Sequence, residues 1–242
     1  MRAITSFIFL IWFYGALAVV GLGFAPAALI DKRFIWIAMR WWGNAALFGL
    51  RWICGVRVII EGREHLPKGA ALIASKHQAT LDTLLPAQFV TEPVFVVKRE
   101  LIHAPVFGFY MKHGMIHIDR GENAKALREM LRAARDVIAK GRQIVIYPEG
   151  TRQALGAPPD YKPGIAALYR DLNLPVTPIA LNTGLVWPPQ GFMRKPGVVT
   201  IKILPAIPTG LSREAFMAEL ERRIETECQA LLAPHRHGKF GA

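Results

Sequence analysis

The chain has 242 residues, 52% of them hydrophobic and 20% charged, and a formal net charge of +12. That length allows one full domain with a buried core plus an additional segment. Two cysteines, Cys54 and Cys228, exclude a disulfide framework and a cysteine metal site, and without helix-turn-helix, zinc-finger or aromatic-basic patterns the acidic partner of so basic a chain is a membrane surface or an anionic substrate rather than nucleic acid.

No charged side chain occurs from Ala3 to Ile30, a run well past the roughly 20 residues of a membrane span. Gly15, Gly21, Gly23 and Pro26 predict that a helix here breaks or bends. A second apolar stretch, Phe34 to Leu50, carries Trp36, Trp41 and Trp42, a residue type suited to the membrane interface. A cleaved signal peptide is disfavoured by the length of the run and by Arg2 as its sole basic start. Two readings stand: a single spanning helix, or a helical pair that dips into one leaflet and is joined near Asp31-Lys32-Arg33. Lys32, Arg33, Arg40, Arg51 and Arg57 follow the first run and place the remainder on the cytoplasmic side. Residues 1–50 therefore read as a helical membrane anchor, and 51–242 as a domain able to stay compact without it.

From Val56 onward, short β-branched runs alternate with helical periods. Val56–Ile60, Ala71–Ser75, Val94–Val97, Met115–Ile118, Gln143–Tyr147, Val176–Leu181 and Val198–Leu204 are predicted strands. Asn123 to Lys140 predicts a helix with Leu127, Met130, Leu131, Ala134, Val137 and Ile138 inward and Gly141 as its stop. Gly164 to Asn173 predicts a shorter one. Ser212 is a suitable N-cap for a last helix facing Phe216, Leu220, Ile224 and Leu231 inward. The alternation predicts an α/β domain with a mostly parallel mixed sheet flanked by helices.

Chemistry gathers where the predicted strands run out, the edge at which α/β folds place ligands. His77 follows the Ala71–Ser75 strand and Asp82 follows five residues later. On one helix that spacing points the two apart; they meet only if His77 precedes the helix and Asp82 lies in its first turns. Asp82 then accepts from Nδ1–H, fixes the tautomer and leaves Nε2 to take a proton. A surface histidine beside an acidic helix start is the plainer alternative. Tyr147-Pro148-Glu149-Gly150-Thr151-Arg152 ends a second strand, with Gly150 permitting close approach and Arg152 offering two donors to an oxyanion. Gly114 to Arg120 delivers another arginine, and Lys98-Arg99-Glu100 ends a further apolar run.

Together these segments resemble the glycerolipid acyltransferase family of the bacterial lysophosphatidate acyltransferase type. His77 and Asp82 match its His-x4-Asp motif, and Gly114–Arg120 is similar to its second motif. Tyr147–Arg152 matches the Phe-Pro-Glu-Gly-Thr-Arg third motif with Tyr147 in place of Phe, and Val176–Ala180 resembles the apolar fourth, more loosely at Thr177. The resemblance implies that His77 takes the proton of an acceptor hydroxyl, which attacks an acyl thioester directly, and that Asp82 orients the imidazole. It implies an acceptor site lined by Arg120, Glu149, Gly150, Thr151 and Arg152, with Lys98 as a further phosphate contact. The implied acceptor is the sn-2 hydroxyl of 1-acyl-glycerol-3-phosphate, giving phosphatidate; glycerol-3-phosphate and a lyso-amino-acid lipid are alternatives. The resemblance further implies an acyl thioester of acyl carrier protein or coenzyme A as donor, no additional cofactor, and a location at the cell inner membrane.

A serine hydrolase is the nearest enzymatic rival, but Ser6, Ser75 and Ser212 are the only serines and none lies in a Gly-x-Ser-x-Gly elbow. A strand at Met115–Ile118 separates His113 from His117, and no metal site is expected. A basic membrane-binding module explains the charge and the anchor but not the His/Asp/Glu/Arg set.

Overall fold

Buried β-branched runs bounded by glycine and proline become strands because the pleat lets each branched side chain pack on both neighbours. The computed structural model describes residues 1–119 and 123–236. In it, β1 (Val56–Glu61), β2 (Ala71–Ser75), β3 (Pro93–Lys98), β4 (Ile116–Ile118), β5 (Gln143–Ile146), β6 (Val176–Leu181) and β7 (Gly197–Ile203) form one sheet in the order β1-β7-β6-β2-β5-β3-β4. The five strands from β6 to β4 run parallel; β7 is antiparallel to β6, and β1 is parallel to β7. All seven strands coincide with the expected runs.

Side-chain alternation sorts the sheet into two cores. Leu72 and Ala74, Ile144 and Ile146, and Val176 and Ala180 face one way, against α6 (Asn123–Ala139), α7 (Gly164–Leu172) and α8 (Arg213–Arg236). Ile73, Val145, Ile179 and Leu181 face the other. On α8, Ser212 caps as expected, its Oγ accepting from the Ala215 amide at 3.1 Å, and Phe216, Leu220 and Ile224 are fully buried. The inward series then continues through Cys228 and Leu232, not Leu231, because the helix keeps a four-residue step. Leu127, near the start of α6, is exposed rather than inward.

The second core is closed by α3 (Leu81–Leu84), α4 (Pro86–Phe89), α5 (Phe107–Gly114) and a hairpin of the first two helices, α1 (Arg2–Ile30) and α2 (Arg33–Cys54). Asp31 and Lys32 make the turn, where a junction was expected. The helix α1 does not break: it runs through Gly15, Gly21, Gly23 and Pro26. Proline removes a single backbone donor from a long ladder, and Gly21 lets α5 approach so closely that the Tyr110 hydroxyl donates to the Gly21 carbonyl at 2.6 Å. Phe9, Phe13, Ile35 and Leu50 are buried in the same cluster as Ile73 and Val145. The inner face of the hairpin is thus part of the second core rather than standing apart from the α/β domain. Trp42, expected at an interface, is buried against Phe13 and Phe107; Trp41 is 61% exposed. The outward face of α1 presents Ile4, Phe7, Ile8 and Ile11, and beside its first turns Phe192 and Met193 protrude from the loop before β7.

Candidate active site

Parallel alignment of β6, β2, β5, β3 and β4 brings their C-terminal ends to one edge. At the end of β2 the Lys76 amide still bonds to the Ile179 carbonyl at 3.0 Å, the last rung toward β6. His77 is the next residue, and there the backbone turns. That turn is closed by Asp82, whose Oδ2 accepts from the Gln78 and Ala79 amides at 2.6 and 2.8 Å. The same oxygen lies 3.3 Å from His77 Nδ1. His77 therefore precedes α3, Asp82 sits in its first turn, and the expected pair is assembled. A carboxylate at Nδ1 selects the Nδ1–H tautomer and leaves the Nε2 lone pair for a substrate proton.

Two further residues hold this pair. Thr183, just beyond β6, donates its hydroxyl to Asp82 Oδ1 at 2.5 Å. Tyr147 stacks on the imidazole with ring centroids 4.3 Å apart, and its hydroxyl donates to the Asp82 carbonyl at 2.8 Å. Desolvation, and secondarily the Asp82 charge, push the Tyr147 phenol well above its ordinary value, so it remains a donor.

The Tyr147–Arg152 segment leaves β5 beside β2. Gly150 takes φ 66°, a left-handed conformation that suits glycine, and the Gln153 amide returns to the His77 carbonyl at 2.8 Å. Glu149, expected to line the acceptor site, is 1% exposed. Its Oε2 accepts from the His77 amide at 3.1 Å and its Oε1 from Lys76 Nζ at 2.6 Å. Both oxygens are therefore directed inward. Burial raises the Glu149 carboxyl above its usual value despite the opposing Lys76 ammonium. Thr151 and Arg152 are exposed, and Arg152 donates to Thr80 Oγ1 at 2.9 Å, across the His77 turn. Arg152 therefore stands at the rim of the site with guanidinium donors to spare.

Lys98 ends β3 and is exposed, two strand positions from β2, a lateral offset of roughly 10 Å. Arg120, expected at the end of β4, lies outside the described residues. His113 and His117 are engaged separately, His113 against the Phe109 ring and His117 with the Met111 carbonyl at 2.7 Å. The serines are likewise occupied: Ser75 donates to the Lys76 carbonyl, Ser6 to the Arg2 carbonyl, and Ser212 caps α8. Sequence reasoning missed Thr183, Lys76 and Gln78, whose side-chain carbonyl accepts from the Gly184 amide at 3.1 Å. The signal for Thr183 was its place just past a buried strand, which tells only when β6 is known to lie beside β2.

A family model described as Acyltransferase matches residues 57–182. The chain is similar to a 1-acyl-sn-glycerol-3-phosphate acyltransferase of Pseudomonas aeruginosa, 32% identical over 214 residues that cover 87% of this chain and 83% of that one. It is 34% identical over 161 residues to a protein of the same name from Limnanthes douglasii, covering 65% of this chain and 57% of the plant protein. In fold it matches the crystal structure of a 1-acyl-sn-glycerophosphate (LPA) acyltransferase from Thermotoga maritima, with a TM-score of 0.80 at 23% identity and full coverage of both chains.

Proposed function

The chain belongs to the acyltransferase family, and from that premise we propose that it moves a long-chain acyl group from an acyl thioester to the sn-2 hydroxyl of 1-acyl-glycerol-3-phosphate, forming phosphatidate. The observation that carries this reading is the His77–Asp82 pair at 3.3 Å, held by Thr183 and Tyr147; among the described residues the serine hydroxyls are engaged elsewhere and both cysteine thiols are buried.

In the proposed reaction His77 Nε2 accepts the acceptor's hydroxyl proton as its oxygen bonds to the thioester carbonyl carbon. Asp82 stabilises the imidazolium that results, through the contact at Nδ1. Collapse of the tetrahedral intermediate breaks the carbon–sulfur bond, and the leaving thiolate takes the proton back from Nε2. No external cofactor enters this balance. Arg152 supplies planar donors suited to the acceptor's phosphate; Lys98 is assigned to the same anion by its place at the end of β3, and Arg120 by its match to the second motif alone. The third-motif glutamate acts from behind the base.

Membrane association is supported by the apolar outer row of α1 and by Phe192 and Met193 next to it. With α1 packed along α2 and α5, and α2 reaching β1, the dipping hairpin fits better than a spanning helix, since the inner face of the pair is already committed to the core. Inner-membrane location on the cytoplasmic side, and a donor carried by acyl carrier protein or coenzyme A, belong to this proposal. The test is an acceptor panel on purified full-length protein in detergent, with lysophosphatidate, glycerol-3-phosphate and a lyso-amino-acid lipid against one thioester donor. The proposal expects phosphatidate from lysophosphatidate at the highest kcat/KM. Preference for either alternative would reassign the acceptor, and equal thioester loss without acceptor would indicate a thioesterase.

A further inference from the structure

Behind the base lies a charged cluster that acyl transfer as written does not use. Lys76, 4% exposed, donates through Nζ to Glu149 Oε1 and to Glu225 Oε1, both at 2.6 Å. Glu225 also accepts from the Tyr161 hydroxyl at 3.0 Å. Glu149 in turn holds the His77 amide. A chain of hydrogen bonds thus runs from α8, through Lys76 and Glu149, to the peptide of the base. Glu225 lies well beyond residues 57–182, the part matched by the family model.

Ions are expensive to bury, and an apolar set of similar volume would hold the helix to the sheet at lower cost. Two carboxylates around one ammonium also leave a net negative charge, with Tyr161 and the Cys228 thiol as further neighbours. Burial by itself would lower the Lys76 ammonium, yet the bonds and charges of Glu149 and Glu225 keep it above its ordinary value and hence charged. The arrangement does something an apolar plug cannot: it pins the His77 backbone with a carboxylate that is itself pinned. The imidazole is then fixed at two points, by Asp82 on the ring and by Glu149 on the peptide.

We propose that Lys76 and Glu225 are positioning residues for His77, acting through Glu149. This rests on His77 being the base. The groups facing His77 are Asp82 on α3, Tyr147 and Glu149 after β5, Lys76 before it in the chain, and Arg152 across the turn.

Two variants test the brace. Glu225→Gln keeps an acceptor for Lys76 and Tyr161 and so keeps the link from α8. The pair Glu225→Leu with Tyr161→Phe removes that link while leaving the Lys76–Glu149 ion pair in place. The His77 ring signals are followed by NMR in imidazole-labelled full-length protein in detergent, identified by their loss in His77→Gln, and kcat and KM are measured alongside. Glu225→Gln is expected to keep kcat within about threefold of wild type and a single sharp His77 signal. The double variant is expected to broaden or split that signal and to lose about tenfold or more in kcat, with KM for donor and acceptor unchanged. Full kcat in a folded double variant, or an unchanged His77 signal in it, overturns the proposal. If the double variant fails to fold, Glu225→Asp, which keeps the charge and shortens its reach, decides by losing kcat or retaining it. The NMR readout does not depend on the reaction, so loss of the acyltransferase reading would show separately, as a His77 signal that responds to the variants in a protein that transfers nothing.

Discussion

Replacing Asp82 by Asn tests the site at the point where most of its bonds meet. The carboxylate accepts from the Gln78 and Ala79 amides and the Thr183 hydroxyl and faces His77 Nδ1. In the variant the amide oxygen must keep the loop-facing position, because a side-chain NH2 there would meet two donors. The NH2 then faces Thr183, whose hydroxyl can turn to accept. The turn survives, with two charge-assisted bonds made neutral at roughly 0.5–1.5 kcal/mol each. The chemical loss is larger. A carboxylate oxygen 3.3 Å from Nδ1 attracts an imidazolium by about 5 kcal/mol at an effective dielectric near 20, and partial solvent access to the ring reduces this. The expected outcome is a kcat lower by about 10²–10⁴-fold, with KM little changed and a Tm drop of a few degrees. Measuring kcat, KM and Tm on the same preparation separates these effects. A folded variant with kcat within threefold of wild type would show that Asp82 does not support the base.

Further outcomes follow from the same contacts. Arg152→Ala should cost roughly 1.5–3 kcal/mol in kcat/KM with a phosphorylated acceptor and much less with an uncharged analogue; equal losses on both would remove Arg152 from the phosphate site. Deleting residues 1–54 strips Phe9, Phe13, Ile35 and Leu50 from the core, side chains contributing about 1.5–3 kcal/mol each against a typical total stability of about 5–15 kcal/mol. The remainder should show no cooperative thermal transition, and a soluble fragment with a sharp transition would contradict the hairpin's place in the core. Because burial raises the folded-state Glu149 pKa above its unfolded value, the native state holds that proton more tightly. The stability of wild type relative to Glu149→Gln should therefore rise as pH falls toward the unfolded carboxyl value of about 4.3; urea melts showing the opposite slope would contradict the assignment.

The central strands β2, β5 and β6 were legible because each is a short, fully buried run, the pattern a parallel sheet covered on both faces demands, and β1 and β7 by the alternation of their β-branched residues. His77 and Asp82 were legible because a strand end followed by a helix start is a local feature. What the hairpin does was not. Phe7 and Phe9 are the same residue type two positions apart, yet one is 59% exposed and the other fully buried, and an uncharged run carries no mark of which face finds a partner. The breaks expected at glycine and proline failed for a related reason: of the three glycines in α1 only Gly21 serves a close approach, to Val106 and Tyr110, while Gly15 and Gly23 meet nothing among the described residues and leave the helix continuous. Lys76, Thr183 and Glu225 stayed hidden because their roles depend on strand order and on α8 packing against β6, the neighbour of β2. Glu149 was found by its motif, but its inward direction is set by Lys76, which no local pattern announces.

The central claim is that His77 draws the proton from a lipid hydroxyl that attacks an acyl thioester. The most direct measurement follows thioester consumption and phosphatidate formation together, with lysophosphatidate in detergent, for full-length wild type and His77→Ala. The predicted result is one phosphatidate for each thioester consumed, no consumption without acceptor, and a loss of about 10²–10⁴-fold in the folded variant. Near-normal turnover by His77→Ala would remove His77 as the base, and consumption without phosphatidate would contradict acyl transfer to this lipid.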